Sequence, residues 1–486
     1  NPKDVITQIG TSLYRYSTGD SIKHCVTLKS PIDGDCDPVN GVIIERFDSE
    51  KDLIQGWVSF IEKTDPDILT GYNVYHFDWN YLFNRAKFLN IEYVLGRLSR
   101  FMDIPAILEK SSLQSSAYGD NFFEYMKMYG VTQFDLMFIV KREHKLESYS
   151  LNNVAKHFTG DEKDDLPPIQ IFKKSVSTKD QVALVVKYCA QDTWLVVDLF
   201  KQLLIVTNVI AMASTTSVPM QYIELRGQQI KVHSQIAKET RKFNYLIPVI
   251  PYKSDSEMND EDEEKFTGAT VLSATPGAHF EPIAGLDFAS LYPSIMIANN
   301  YCYSTIVESP EFDNLPGVEY HDISWEEETG PITVRFVQNK EGILPRILDR
   351  LWKERKKIKK QMKEKGIDRN LWAVLNGVQL AIKVSMNSIY GFTGAKFGRL
   401  PNKRIAAAVT AEGRRMIAHS KACAEKWYDC EVVYGDTDSI YCKFKTKYTG
   451  QAHMDEVFRI APECAERISE TFRKPIDLEF EKVMYP

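Results

Sequence analysis

The sequence predicts a multidomain protein of mixed α/β and α+β class, and three observations predict it. The chain has 486 residues, too many for one hydrophobic core, so two or three domains are expected. Residues 1–205 interleave strand-like and helix-like segments. The second half instead sets an apolar strand, three helical runs and a tight hairpin in succession.

Near the start, Val5–Tyr14 is strand-like. Asp67–Leu89 (DILTGYNVYHFDWNYLFNRAKFL) predicts a strand end, a loop and an amphipathic helix. Lys179–Val206 predicts one long helix, and 206–250 more helix. Residues 254–264 carry no apolar periodicity and a dense acidic run, which predicts a solvated loop. Pro282–Asn300 (PIAGLDFASLYPSIMIANN) predicts a strand ending at Asp287, then a helix with Pro293 in its first turn. Loops and short strands are expected over 301–341. Helices are expected over Gly342–Lys365 and Leu371–Ile389, with Gly366 and Asp368 punctuating the gap, and a third over Lys403–Tyr428. The hairpin Val432–Phe444 (VVYGDTDSIYCKF) follows, and Ile476–Met484 is again strand-like. There is no internal repeat. The chain opens on Asn1 and stops just after a strand-like run, so it is expected to be a piece of a longer polypeptide.

Composition narrows the class. The 44% hydrophobic and 26% charged content is ordinary for a soluble globular protein. No run approaches the roughly 20 apolar residues of a membrane span. The longest, near Trp194–Ile210, is broken by Asp198, Lys201 and Gln202, and no membrane partner is expected. Eight cysteines form no CxxC pair and have no histidine cluster, which argues against zinc and for a reducing, intracellular compartment. A net charge of −6 argues mildly against a simple nucleic-acid binder. Basic stretches exist all the same: KERKKIKKQMKEK over Lys353–Lys365 and KFGRLPNKR over Lys396–Arg404.

The hairpin poses the chemical question, because Asp436 and Asp438 sit one residue apart and repel each other. A solvated turn is one explanation, since turns favour Asp and Gly. A calcium loop fails, because Ile440 and Tyr441 occupy the next ligand and glycine positions and Lys447 stands where a bidentate Glu belongs. The third explanation is a magnesium site, which takes one or two carboxylates plus substrate phosphates. Asp287, at a strand end, is the natural further carboxylate; otherwise it caps the following helix. Cationic stripes suit the same reading. Arg355 and Lys359 are four apart on one helical face, and Lys383, Asn387 and Tyr390 share a face of the next helix. The plainer reading of 353–365 is a solvated charged helix.

Three stretches in order, DFASLYPSIM (Asp287–Met296), KVSMNSIYG (Lys383–Gly391) and YGDTDS (Tyr434–Ser439), resemble motifs A, B and C of B-family DNA polymerases. RGQQIKV (Arg226–Val232), FTGATV (Phe266–Val271), PIDLEFEKV (Pro475–Val483) and KLESYSLNNVAKHF (Lys145–Phe158) are similar to the delta-type branch, including enzymes of large DNA viruses of eukaryotes. The resemblance covers essentially the whole chain. It implies an RNase H-like 3′–5′ exonuclease domain over 1–205, truncated; a helical connection and acidic linker over 206–280; and a right-hand polymerase. The polymerase would have an antiparallel palm over 281–341 and 396–486, helical fingers over 342–395 and no thumb.

The resemblance implies DNA-directed DNA synthesis on a primer–template from dNTPs by two-metal phosphoryl transfer, with two Mg²⁺ ions. Asp287 and Asp438 would be the principal ligands and Asp436 less directly committed. Arg355, Lys359 and Lys383 would grip the triphosphate, and Asn387 would lie beside the nucleotide. Tyr390 and Gly391 would line the nascent base pair. Tyr292 would be the steric gate against a ribose 2′-OH, with the N–H groups of Ser290, Leu291 and Tyr292 at a helix start. In the first half, GYNVYHFDWNYL (Gly71–Leu82) and YCAQD (Tyr188–Asp192) resemble the second and third exonuclease motifs. Asp78 and Asp192 would hold metal, Tyr188 would orient water, and Asn73 and Phe77 would support. The first motif, an Asp-x-Glu pair on a strand, is absent, so exonuclease activity is expected to be low or nil. Phe266 replaces the usual Tyr of the linker motif. A sliding clamp or processivity factor is a further expected partner, and the site of action is a host nucleus or cytoplasmic replication site. Two rivals remain: an RNA-making or reverse-transcribing palm enzyme, and a non-catalytic homologue that only binds primer–template.

Overall fold

The computed structural model describes residues 4–115, 119–160, 166–250, 267–327, 330–395 and 398–485. The acidic run 254–264, Phe266 and Lys396 lie outside them. The chain forms two compact units: 1–213 with 219–227, and 214–218 with 228–486.

The first unit contains β1 (Gln8–Tyr14), β2 (Ser21–Leu28), β3 (Val42–Phe47), α1 (Glu50–Thr64), β4 (Ile68–Gly71), α2 (Asp78–Phe88) and α3 (Glu92–Gly96). There follow β5 (Ile107–Ser115), β6 (Gly119–Lys127), β7 (Thr132–Asp135), α4 (Leu136–Glu143), α5 (Leu151–Thr159), α6 (Pro168–Ser175), α7 (Lys179–Gln202), α8 (Ile205–Thr216) and α9 (Gln221–Leu225). β1 pairs antiparallel with β2, and β2 pairs parallel with β3. β4 and β7 form a separate parallel pair, and β5 and β6 a hairpin. Serines at the helix entries satisfy orphan amides: Ser49 Oγ accepts from Asp52 N at 3.2 Å, and Ser150 Oγ from Asn153 N at 3.3 Å. Leu53, Ile54 and Val58 on α1 and Ala86 on α2 are fully buried in one core, each larger side chain contributing about 1.5–3 kcal/mol by burial.

Two helix expectations need correction. The long helix predicted to Val206 ends at Gln202, because Leu204 adopts a left-handed conformation (φ 51°) and α8 restarts beyond it. The helix predicted over 206–250 is three helices with breaks, and it stops at Lys242. Asn244 turns left-handed (φ 55°) and the Tyr245 amide closes back on the Thr240 carbonyl at 3.1 Å, a common helix stop. No single helix among the described residues is long and apolar enough to cross a membrane; α7 and α8 reach the required apolar length only together, across a 48° bend.

The second unit contains α10 (Gln228–Lys242), β8 (Val271–Leu272), β9 (Ile283–Phe288), α11 (Leu291–Ala298), β10 (Ile306–Val307), β11 (Tyr320–Glu327), β12 (Gly330–Val337) and α12 (Ile343–Gln361). It continues with α13 (Arg369–Gly394), α14 (Lys403–Trp427), β13 (Cys430–Asp436), β14 (Ser439–Phe444), α15 (Gly450–Ser469) and β15 (Leu478–Met484). Five strands form one antiparallel sheet in the order β15-β9-β14-β13-β8. Alternation sorts its faces. Ala284, Leu286 and Phe288 of β9 and Ile440, Cys442 and Phe444 of β14 are buried on one side, which α14 and α15 cover. Asp287 pairs with Ser439 on one neighbour and Glu479 on the other, so these three project from the opposite face. Slipping β9 by one residue would bury Asp287 and expose Leu286, so the apolar pattern locks the register.

Candidate active site: a carboxylate pair on adjacent strands

Asp287 is carried by β9 and Asp438 by the turn of the β13–β14 hairpin. The Phe288 amide donates to the Asp438 carbonyl at 2.8 Å, so the two aspartates stand on neighbouring strands. The turn is tight. Asp438 N donates to Asp436 O at 2.5 Å across Thr437, which is held left-handed at φ 54°. For a β-branched residue that conformation is strained. Thr437 Oγ1 donates to Asp436 Oδ1 at 2.9 Å, and Asp436 itself is exposed.

Electrostatics record the crowding. Partial burial, then the Asp438 charge, then Glu481 and Glu479, push Asp287 up to about 6. Asp438 is raised by desolvation and by Asp436 and Glu481. Lys383 acts in the opposite direction on both aspartates. The exposed Lys383 of α13 thus lies within electrostatic reach of the carboxylate pair.

The other positions predicted from the motifs gather in the same unit. Asp287 does not cap α11; Ser290 occupies that position, in a left-handed conformation at φ 50°. Leu291 and Tyr292 start the helix, and Leu291 is buried. The Tyr292 and Tyr390 rings pack with centroids 4.3 Å apart and planes tilted by 38°, and Asp438 and Asp436 both raise the Tyr292 phenol after desolvation. On α14, a Cβ added at Gly413 would stand 3.6 Å from Cε1 of Tyr292. Arg355 Nε donates to Gln379 Oε1 at 3.2 Å, tying α12 to α13. Lys359 and Asn387 are exposed. Asp368 Oδ2 caps α13, accepting from Asn370 N at 2.9 Å and Leu371 N at 3.0 Å.

In the first unit, Asp78 opens α2 and Tyr188 and Asp192 lie one turn apart on α7. The Cys189 thiol feels the charges of both Asp192 and Asp78, so the two carboxylates share a neighbourhood. Asp78 is exposed as a residue, and desolvation with the Asp135 charge pushes it up to about 6. Phe77 is exposed and stacks on Tyr81 at 5.7 Å. Asn73 is left-handed (φ 67°), and its buried Oδ1 has no hydrogen-bond partner among the described residues.

Several shaping side chains escaped the sequence reading. Asp135 accepts from the amides of Asn73 (2.8 Å), Tyr75 (3.0 Å) and Met137 (2.9 Å), fixing the loop that leads to Asp78. Glu224 accepts from the Tyr75 hydroxyl (2.7 Å) and the Asp135 amide (2.9 Å). The one local signal was Asp135 at a strand-to-helix junction, the place of an N-cap. Glu479 and Glu481 sit inside a quoted motif, but only the sheet register turns them toward Asp287.

Glu224 has a stability consequence. Burial outweighs its hydrogen bonds and raises it to about 8 from near 4.5. Between those values the folded chain holds a proton that the unfolded chain has lost, so this contribution to stability is full below about 4.5 and fades as pH rises toward 8. Thermal melts of Glu224→Gln should show a flatter decline over that interval than the unmutated chain. Equal slopes would refute the assignment.

An acidic centre on adjacent antiparallel strands, within the electrostatic reach of a helix-borne lysine and with a tyrosine pair in the same unit, makes a scaffold suited to binding a metal–polyphosphate ligand. The chain belongs to DNA polymerase family B: that family matches residues 218–486, and its exonuclease domain matches residues 1–154. It is 38% identical over 502 residues to a DNA polymerase of Paramecium bursaria Chlorella virus NY2A, covering 100% of this chain and 53% of that protein. It is 39% identical over 498 residues to the DNA polymerase delta catalytic subunit of Dictyostelium discoideum, covering 100% and 42%. A DNA polymerase of Pyramimonas orientalis virus is 34% identical over 602 residues, covering 99% and 49%. The chain thus spans about half the length of the curated relatives it matches.

Proposed function

We propose that this chain carries the nucleotide-adding centre of a DNA-directed DNA polymerase acting in DNA replication, with an exonuclease domain alongside. The observation that carries the proposal is Asp287 and Asp438 side by side on β9 and the β13–β14 turn, opposed by Lys383. On this reading the five-stranded sheet with its helices is the palm, and α12 and α13 are the fingers.

Among the described residues no group of three or more His, Cys, Asp and Glu is arranged to hold a metal ion. Two carboxylates suffice for magnesium when substrate phosphates complete its shell, and a pair raised by mutual repulsion is the donor chemistry a dication relieves. Asp287 and Asp438 would hold it, with Asp436 beside them. Bound Mg²⁺ would polarise the phosphate and lower the pKa of the attacking hydroxyl. The protein's own part is positioning. Lys383, Arg355 and Lys359 hold the triphosphate of a dNTP, and the α11 start offers amide N–H groups to its tail. Asn387 borders the sugar and base, Tyr390 and Gly391 line the new base pair, and Tyr292 rejects a 2′-hydroxyl. The partners are then a DNA primer–template, dNTPs and a clamp-like processivity factor, in an intracellular setting.

For the first unit we propose 3′–5′ hydrolytic chemistry at Asp78, Asp192 and Tyr188, with Asn73 and Phe77 in support. Activity should be weak, because two carboxylates are a sparse set for two-metal hydrolysis.

The test is templated primer extension with dNTPs against rNTPs. Extension with dNTPs favoured supports the reading; equal use of both overturns it in favour of an RNA-making enzyme. No extension, with primer–template still bound, favours the binding-only homologue. A second expected result concerns pH. Metal must displace the proton that Asp287 holds below about 6, so Mn²⁺ affinity should weaken as pH falls through 6 and level off above it. A calorimetric titration at pH 5, 6 and 7.5 checks this, and a pH-independent affinity would exclude Asp287 as a ligand.

A further inference from the structure

The segment Thr267–Leu272, most of the FTGATV motif, runs between the helix behind the tyrosine pair and the carboxylate turn. At one end Arg414 Nη1 on α14 donates to the carbonyls of Thr267 and Gly268, both at 2.7 Å. Thr410 Oγ1, one helical turn earlier, donates to the Thr267 carbonyl at 2.9 Å. Thr267 Oγ1 donates to Glu327 Oε2 of β11 at 3.1 Å. At the other end the segment becomes β8 and pairs with β13 beside the turn, Leu272 with Gly435 and Val271 with Asp436. The Thr437 amide, at the strained residue of the turn, donates to the Thr270 carbonyl at 3.1 Å. A Cβ on Gly435 would come within 2.8 Å of the Leu272 side chain and 3.0 Å of the Ser439 carbonyl oxygen, so a larger residue there would make the Leu272 side chain shift. Arg414 also lies near Tyr292 and Tyr390, where its charge opposes the rise that burial imposes on both phenols.

We propose that Thr267–Leu272 is a brace that sets the position of the Asp436–Asp438 turn, and that Arg414 is the positioning residue that locks it to α14. The physical argument is one of constraint. A two-residue turn with a left-handed threonine does not hold its own geometry, and its outer strand is only two residues long. Fixing the far end of that strand with four charge-assisted or hydroxyl hydrogen bonds keeps the turn from drifting, and displacement of about 1 Å at reacting groups costs about 10²-fold in rate. The proposal deepens the polymerase reading and rests on it for its kinetic arm alone.

The test compares the 486-residue chain with Arg414→Ala, Arg414→Lys and Thr410→Val by three measurements: Mn²⁺ binding to the DNA-free chain by electron paramagnetic resonance, single-turnover dNTP incorporation, and thermal melting. Arg414→Ala should weaken Mn²⁺ binding by about tenfold and slow incorporation by about 10- to 100-fold. Arg414→Lys, whose ammonium can still donate to both carbonyls, should recover most of each loss. Thr410→Val, which removes one of the bonds, should cost about two- to threefold. Should Arg414→Ala fail to fold, the Lys and Val variants carry the test in the same direction. A lower melting temperature with unchanged Mn²⁺ affinity and rate would overturn the brace. So would an unmutated chain that binds no Mn²⁺. If the unmutated chain binds Mn²⁺ and loses it on Arg414→Ala but never extends a primer, the brace stands and the polymerase reading fails.

Discussion

Asp438→Asn lowers templated dNTP incorporation by about 10³-fold while leaving the chain folded. The substitution keeps the size of the side chain and removes one of the charges beside Asp287. Losing a metal-binding carboxylate forfeits several kcal/mol of charge stabilisation in phosphoryl transfer, and each 1.36 kcal/mol is tenfold in rate. The fold should not suffer. Asp438 is a repulsive neighbour of Asp287 and stands second only to desolvation in raising it, so the variant melts at the same temperature or higher. That opposition between stability and rate is the signature of a site strained for function. Asp287→Asn should behave alike. Asp436→Asn should cost less, because Asp436 is exposed and bonded to Thr437. Retention of more than a tenth of the rate in Asp438→Asn, measured by single-turnover extension, would remove Asp438 from the centre.

Tyr292→Ala raises the use of rNTPs relative to dNTPs by about 10²-fold, the scale on which packing around a small substrate group discriminates. The ring earns this role by immobility. Tyr390 packs against it with ring centroids 4.3 Å apart and planes tilted by 38°, and on α14 a Cβ added at Gly413 would come to 3.6 Å from it. A half-buried ring packed against a neighbouring ring resists swinging aside for an extra hydroxyl. Removing it opens that volume without touching the carboxylates, so dNTP incorporation should fall by less than about tenfold. Competition between a dNTP and its rNTP on one template measures the ratio directly. An unchanged ratio would make Tyr292 a packing residue and leave sugar selection to another group.

The motifs made the second unit's chemistry legible because short, charged signatures survive in local sequence. Asp287 and the Asp436–Asp438 turn could be named from their strand and hairpin contexts, and Arg355, Lys383 and Tyr390 from helical spacing. Glu479 and Glu481 could not, because an exposed glutamate in a strand has no local mark; pairing with β9 is what turns Glu479 toward Asp287. Arg414 was hidden the same way, its partners being carbonyls some 146 positions away. In the first unit Asp135 carries no local mark beyond its place at a strand-to-helix junction, and only the fold brings it onto the loop before Asp78. The helix stops at Leu204 and Asn244 were missed because one left-handed residue ends a helix without disturbing apolar periodicity.

What the amino-acid string settled unaided was therefore the identity of the elements and the residue types capable of the chemistry: alternation and helical spacing are properties of nearest neighbours along the chain. What needed the folded molecule was which charges meet. Asp287 and Asp438 repel, and Lys383 offsets them, only because antiparallel pairing and helix packing bring distant segments into one neighbourhood. Coulomb and hydrogen-bond energies depend on distance through space and are indifferent to separation in sequence.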